Sequence, residues 1–254
     1  MQRVVLKVGS AVLTENSALA MDRLSNLVEF IVELKKRYQV VLVTSGAVAA
    51  GYTLLPLDKK EVANKQALAS IGQPLIMKHY KDNFRKYNII CSQMLLTADD
   101  FDSRKRTKHA KNAIEILLKN SVLPIINEND VTATEELVFG DNDQLAAHVA
   151  LHFDADLLVI LTDINGYYDD NPKTNPNAKL LKNVSFIKEA ELNKEHTPNS
   201  SFATGGIVTK LKAANFLLQN NKKMFLSSGF DLSDAKEFLL NDNHVGGTIF
   251  SNKD

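Results

Sequence analysis

Scarcity bounds this sequence before any motif does. A single cysteine, Cys91, occurs in 254 residues, so no disulfide can form within the chain, which fits a reducing compartment. It lies in the apolar run Asn88-Ile89-Ile90-Cys91, where a buried strand thiol is expected rather than a nucleophile. Net charge is also lacking, because Lys plus Arg and Asp plus Glu number 30 each. That balance gives no drive toward nucleic acid or an anionic membrane, and neither is expected as a partner. No stretch reaches the roughly 18 uninterrupted apolar residues of a membrane span. The N-terminus runs straight into Val4-Val5-Leu6, without the apolar core and cleavage site of a signal peptide. A soluble, cytoplasmic protein is expected. Repeats of 20–50 residues and low-complexity tracts are missing too.

What is present is an ordinary globular composition, 44% apolar and 24% charged, on a chain long enough for one large domain or two lobes sharing a sheet. Short β-branched runs alternate with longer helical patterns. Strands are expected at 3–8, 40–44, 89–95, 122–127, 157–162, 223–227 and 248–250. Several are continuously apolar, as in strands covered on both faces of a parallel sheet. The first helix carries Leu24, Leu27, Val28, Ile31 and Leu34 on one face, with Asp22 as its expected N-cap. The region 59–87 reads as two helices broken at Gly72-Gln73-Pro74. Further helices are expected at about 103–120, 142–152, 207–220 and 233–240, and turn-rich excursions at 167–182 and 196–201. The pattern predicts an α/β fold, a mainly parallel central sheet sandwiched by helices.

In such sheets ligands bind beyond the carboxyl ends of the strands. Five strands end there in small, hydroxyl, amide or charged residues: Lys7-Val8-Gly9-Ser10, Thr44-Ser45-Gly46-Ala47, Glu128-Asn129-Asp130, Thr162-Asp163 and Ser227-Ser228-Gly229. Lys7 stands inside an apolar strand, where burial is costly without an anionic partner. It reads either as a cation aimed at phosphate, with amides near Gly9 cradling anionic oxygens, or as an edge lysine that snorkels to solvent. Ser45-Gly46 opens a small-residue helix, as an anion site or as simple N-capping by Ser45. Gly140-Asp141-Asn142-Asp143 holds more polar groups than a cap needs; an aspartate there could orient lysines or hold magnesium. Thr204-Gly205-Gly206-Ile207-Val208-Thr209-Lys210 is a Gly-rich loop entering a helix, but lacks P-loop spacing. His148 and His152 share a helical face without the flanking glutamate of zinc proteases, so they are expected to be structural.

Together these stretches, with Gln93-Met94-Leu95-Leu96-Thr97, Asn127-Glu128-Asn129-Asp130 and Leu161-Thr162-Asp163, occur in an order that resembles the amino acid kinase family. The Thr-Ser-Gly-Ala, Asn-Glu-Asn-Asp and Gly-Asp-Asn-Asp stretches are most similar to the branch that phosphorylates glutamate. That resemblance implies ATP-dependent transfer of phosphate to the γ-carboxylate of L-glutamate, the first step of proline biosynthesis, with magnesium accompanying ATP. It implies that Lys7 and Lys210 flank the transferring phosphoryl group and that Asp143 orients them. Ser45, Gly46, Asp130 and Asn142 would hold glutamate. Lys7, Gly9, Thr162, Asp163 and the loop Thr204, Gly205, Gly206, Ile207, Val208, Thr209 and Lys210 would bind ATP. No dedicated protein metal site is expected.

The resemblance further implies one kinase domain over 1–254, with an acceptor part to about 150 and a nucleotide part beyond it. It suggests a homo-oligomer, dimer or tetramer, and a functional link to glutamyl phosphate reductase. Only Ser251-Asn252-Lys253-Asp254 follow Phe250, so the C-terminal PUA module of many members is not expected. Ser201-Phe202-Ala203 replace a Gly-x-Gly frequent in the family loop. The alternatives are a relative acting on an N-acylated amino acid or a carbamate, and a non-catalytic amino-acid sensor. A dinucleotide dehydrogenase fares badly, since no G-x-G-x-x-G follows the first strand.

Overall fold

A computed structural model of the chain describes residues 1–133, 142–172, 174–193 and 206–252. Its centre is an eight-stranded sheet in the order β5-β6-β4-β1-β7-β9-β10-β8. The strands are β1 (Arg3–Val8), β4 (Gln39–Val43), β5 (Cys91–Leu96), β6 (Leu123–Glu128), β7 (Leu157–Thr162), β8 (Asn183–Val184), β9 (Lys223–Ser228) and β10 (Thr248–Phe250). All neighbours pair in parallel except β9 and β10. A small hairpin, β2 (Thr14–Glu15) and β3 (Ala18–Leu19), turns through Asn16 and Ser17, both at positive φ, the conformation that a two-residue hairpin turn requires.

The apolar runs that suggested doubly covered strands are doubly covered. One core joins the sheet to α2 (Met21–Leu34), α4 (Val62–Arg85) and α10 (Ser233–Leu240). The other lies beneath α5 (Ala98–Asp102), α6 (Arg104–Lys119), α7 (Asp143–His152) and α9 (Ile207–Gln219). Two short helices, α1 (Ser10–Leu13) and α8 (Glu189–Leu192), and α3 (Ala47–Tyr52) complete the set used below. Strands β4 and β7 flank β1 on opposite sides. The crevice above β1 and β7 is therefore a switch point, where such sheets bind ligands.

Three expectations are corrected. Asp22 is not the cap of α2: the helix starts at Met21 after Ala20, and Asp22 sits in the first turn, where its charge suits the helix dipole. Ile89 is not in β5: Asn88 adopts positive φ and Ile89 N–H closes back on Phe84 O, leaving the strand to begin at Cys91. The third concerns 59–87, where a single helix, Val62–Arg85, carries Pro74 inside it. Proline there removes one helical hydrogen bond, but buried Leu68, Ala69, Gly72, Gln73, Ile76, Met77 and Tyr80 bind the helix to its neighbours on both sides of the ring.

Gly72 serves close approach rather than a break. A Cβ at Gly72 would lie 1.8 Å from Ala47 O, and one at Gly51 would lie 2.0 Å from Leu68 O, so α3 and α4 touch backbone to backbone. Gly72→Ala must push these helices apart. It is expected to destabilise the protein by about 3 kcal/mol, a fall in Tm of roughly 6–12 °C for a chain of this size. A thermal melt checks it.

Candidate active site

Along β1, Val4, Leu6 and Val8 enter one core and Val5 the other. Strand alternation therefore gives Lys7 the face of Val5, which α7 covers. Lys7 is fully buried, with Nζ 2.7 Å from Asp143 Oδ1, so the snorkelling alternative does not hold. Lys210, in the first turns of α9, places Nζ 3.1 Å from Asp143 Oδ2. Thr209 Oγ1 lies 2.9 Å from that same oxygen and 2.9 Å from Gly206 O. One buried carboxylate thus holds two ammonium groups that come from opposite halves of the sequence. Asp143 is the first residue of α7, where the helix dipole favours its negative charge. Each of its oxygens therefore faces an ammonium group.

Asn142 occupies the N-cap position of α7 but makes no side-chain cap. Its Nδ2 donates instead to Thr44 O, to Asn127 Oδ1 at 2.6 Å and to Ser45 Oγ at 3.3 Å. Ser45 is likewise not the cap of α3. That position belongs to Gly46, at φ 97°, a left-handed conformation that favours glycine. This turn frees the Ser45 hydroxyl to face Asn142. The capping alternative for Ser45 is therefore overturned, and the end of β4 meets the start of α7.

Asp130 follows the end of β6, next to β4 in the sheet. Burial, and then the neighbouring Glu128 carboxylate, push its carboxyl up to about 7. At the β7 end, Thr162 Oγ1 donates to Asp163 Oδ1 at 3.1 Å and Thr162 O accepts from Gly229 N–H at 2.7 Å. Gly9 sits beside it, but its own N–H donates to Leu161 O at 2.9 Å. The expectation for amides near Gly9 therefore does not rest on the N–H of Gly9 itself. In the Gly-rich segment, Ile207 packs against the core under α9 and Val208 is buried, so any contact they make with phosphate is through backbone. Thr204 and Gly205 lie outside the described residues, as do Gly140, Asp141 and Ser201-Phe202-Ala203.

Sequence reasoning missed several groups here. Thr44 Oγ1 and Tyr80 Oη are 2.8 Å apart, and full burial raises the phenol above its ordinary range. Asn127 Nδ2 donates to Gln73 Oε1 at 2.7 Å, and Gln73 Nε2 donates to Gln93 Oε1 at 3.1 Å. An amide closing an apolar parallel strand, as Asn127 does, was a readable signal. Gln73 was hidden inside the supposed helix break.

Other candidates fall away. His148 and His152 stack on Phe101, with centroids 5.4 and 5.2 Å from it, and burial lowers both pKa values. Among the described residues no group of three or more His, Cys, Asp or Glu side chains could hold a metal ion. Cys91 is half-buried on the edge strand, with burial pushing its thiol up to about 11, away from nucleophilic character. Among the described residues no helix is long and apolar enough to cross a membrane.

The comparisons with known proteins agree with this geometry. Residues 2–228 match the family model described as "Amino acid kinase family". The chain is 56% identical to "Glutamate 5-kinase" of Wolinella succinogenes, covering 98% of both chains. It is 57% identical to "Glutamate 5-kinase" of Leishmania donovani, covering 98% of this chain and 95% of that one. Among solved structures, an isopentenyl phosphate kinase superposes with TM-score 0.69 at 18% identity, over 98% of this chain and 100% of that one. Carbamate kinase from Giardia lamblia bound to AMP-PNP superposes with TM-score 0.65 at 18% identity, over 98% of each. At that identity the solved structures speak for the fold alone. With a buried two-lysine clamp at the end of β1 and a family match across nearly its whole length, the chain belongs to the amino acid kinase family.

Proposed function

We propose that this chain is a glutamate 5-kinase, transferring the γ-phosphoryl group of ATP to the side-chain carboxylate of L-glutamate. The observation that carries the reading is the Lys7–Asp143–Lys210 clamp, whose aspartate directly follows Asn142, itself hydrogen-bonded to Ser45 Oγ. A carboxylate is already a nucleophile at neutral pH, so no general base is needed. The obstacle is repulsion between two anions. A carboxylate oxygen attacks the γ-phosphorus, its new O–P bond forms as the bond to the bridging β-γ oxygen breaks, and ADP leaves. Lys7 and Lys210 stabilise the equatorial oxygens, with Asp143 fixing where their charges sit. Ser45, Gly46, Asn142 and Asp130 hold glutamate in line. Thr162, Asp163 and the 204–210 segment receive the nucleotide. Magnesium bound with ATP would neutralise part of the phosphate charge. This divides the domain into an acceptor part to about 150 and a nucleotide part beyond.

The acyl phosphate product hydrolyses in water, which supports prompt hand-off to a reductase as part of the same reading. The test is a magnesium-ATP turnover assay across glutamate, N-acetylglutamate, aspartate and carbamate, with hydroxylamine trapping the acyl phosphate. A hydroxamate from glutamate alone is expected. A signal from another acceptor, or silence from protein that still binds ATP, would overturn it.

Asp130 makes the acceptor site pH-dependent. Its carboxylate form accepts from the α-ammonium of glutamate, and a free carboxylate here disfavours an acylated amine. With the carboxyl at about 7, KM for glutamate should fall about tenfold per pH unit up to that point and then level off. Asp130→Asn should flatten the profile and raise KM about 100-fold. The stability effect has the opposite sign. An acid whose folded pKa is raised from 3.8 to about 7 costs the fold stability as pH climbs through that window. Ligand-free Asp130→Asn should therefore melt higher than the parent at pH 8, which a pair of thermal melts checks.

A further inference from the structure

A line of buried side-chain amides runs from the acceptor site to the sheet edge. Asn142 Nδ2 reaches Asn127 Oδ1 at 2.6 Å, Asn127 Nδ2 reaches Gln73 Oε1 at 2.7 Å, and Gln73 Nε2 reaches Gln93 Oε1 at 3.1 Å. Asn142, Asn127 and Gln73 are 6%, 2% and 8% exposed, whereas Gln93 is exposed on edge strand β5. Every link has the same polarity, with the amide nitrogen donating toward the edge.

Polarity matters because a primary amide offers two different ends. Three acceptors converge on Asn142 Nδ2: Thr44 O, Ser45 Oγ and Asn127 Oδ1. Rotating Asn142 by 180° would set its oxygen against the Thr44 carbonyl and the Asn127 oxygen, two buried acceptors, at a heavy cost. Asn127 Oδ1 faces Asn142 only while Asn127 Nδ2 has an acceptor behind it, and Gln73 Oε1 is that acceptor. We infer that Gln73 is a positioning residue for acceptor binding: through Asn127 it locks the amide of Asn142 so that Oδ1 is presented to a substrate ammonium group. The inference rests on the proposed placement of the acceptor at Asn142. It also gives the helix residue before Pro74 a task that a plain core position would not have, since a buried glutamine on an apolar face is otherwise unfavourable.

Gln73→Met keeps length and volume but removes both amide ends. It should raise KM for glutamate 10–30-fold while kcat changes less than threefold and KM for ATP stays unchanged. Gln73→Glu still offers Asn127 an acceptor oxygen in either protonation state, and should return KM for glutamate to within about threefold of the parent. If Gln73→Met does not fold, judged by circular dichroism, Gln73→Ala serves the same comparison. A parental KM for glutamate in the folded Met or Ala variant would overturn the inference. So would a loss shared equally by kcat and both KM values, or a failure of Gln73→Glu to recover, since each marks a merely structural role. The parent enzyme separates the two levels: no glutamate-dependent hydroxamate from it sinks the functional reading itself, whereas a normal parent with an indifferent Gln73 variant sinks only the relay.

Discussion

Lys7→Met should lower kcat by about 10³–10⁴-fold and leave the protein folded. Its ammonium is fully buried on the strand that lies at the switch point, so its charge acts where water does not screen it. Removing a preorganised cation from the path of a phosphoryl group removes stabilisation that exists mainly in the transition state, which shows in kcat more than in KM. The fold should tolerate the change for two reasons. Methionine fills nearly the same volume as the lysine stem, and Asp143 keeps Lys210 at 3.1 Å and the Thr209 hydroxyl at 2.9 Å, so no bare carboxylate is stranded. ADP release with saturating glutamate measures the first half, and a thermal melt the second. A variant that melts normally and turns over at the parental rate would remove Lys7 from the phosphate site.

How much of this was legible beforehand depends on the range of the interaction concerned. The strands were readable because burial on both faces writes itself locally, as in Val4-Val5-Leu6 or Leu157–Leu161. Lys7 was conspicuous for the same reason, a charge set between Leu6 and Val8 inside such a run. Pro74 was misread because a proline's local cost is visible in sequence, whereas the compensating contact between Gly72 and Ala47 joins residues 25 positions apart, beyond any helical period. Ser45 and Asn142 both carry side chains that ordinarily cap helices. Only the meeting of β4 with α7 turns them toward each other. The Gln73–Asn127 link spans 54 positions and has no local pattern at all. Sequence, then, carries what each element must bury; tertiary pairing decides what its polar groups bind.

The clamp itself supplies the most demanding expectation. Asp143→Asn changes one oxygen to nitrogen, yet it should cost more stability than Lys7→Met and as much activity. Neutralising Asp143 removes the charge that both buried ammonium groups share. At an effective dielectric of about 20, two unit charges roughly 6 Å apart repel by about 3 kcal/mol, and breaking a buried ion pair from one side alone costs about 3–5 kcal/mol. The asparagine Nδ2 adds a donor against groups that are themselves donors. A loss of about 3–4 kcal/mol is therefore expected, roughly 6–16 °C in Tm for a chain of this size, with kcat down at least about 10³-fold because the cations no longer hold their positions. The same electrostatics predicts a signature that plain misfolding would not produce. ATP brings phosphate anions to the place the carboxylate charge vacated, so saturating ATP should raise the Tm of Asp143→Asn by more degrees than it raises that of the parent. Melts of both proteins with and without nucleotide decide it. An equal or smaller shift in the variant would mean that the phosphates do not approach this clamp, and that the two lysines serve the fold rather than the reaction.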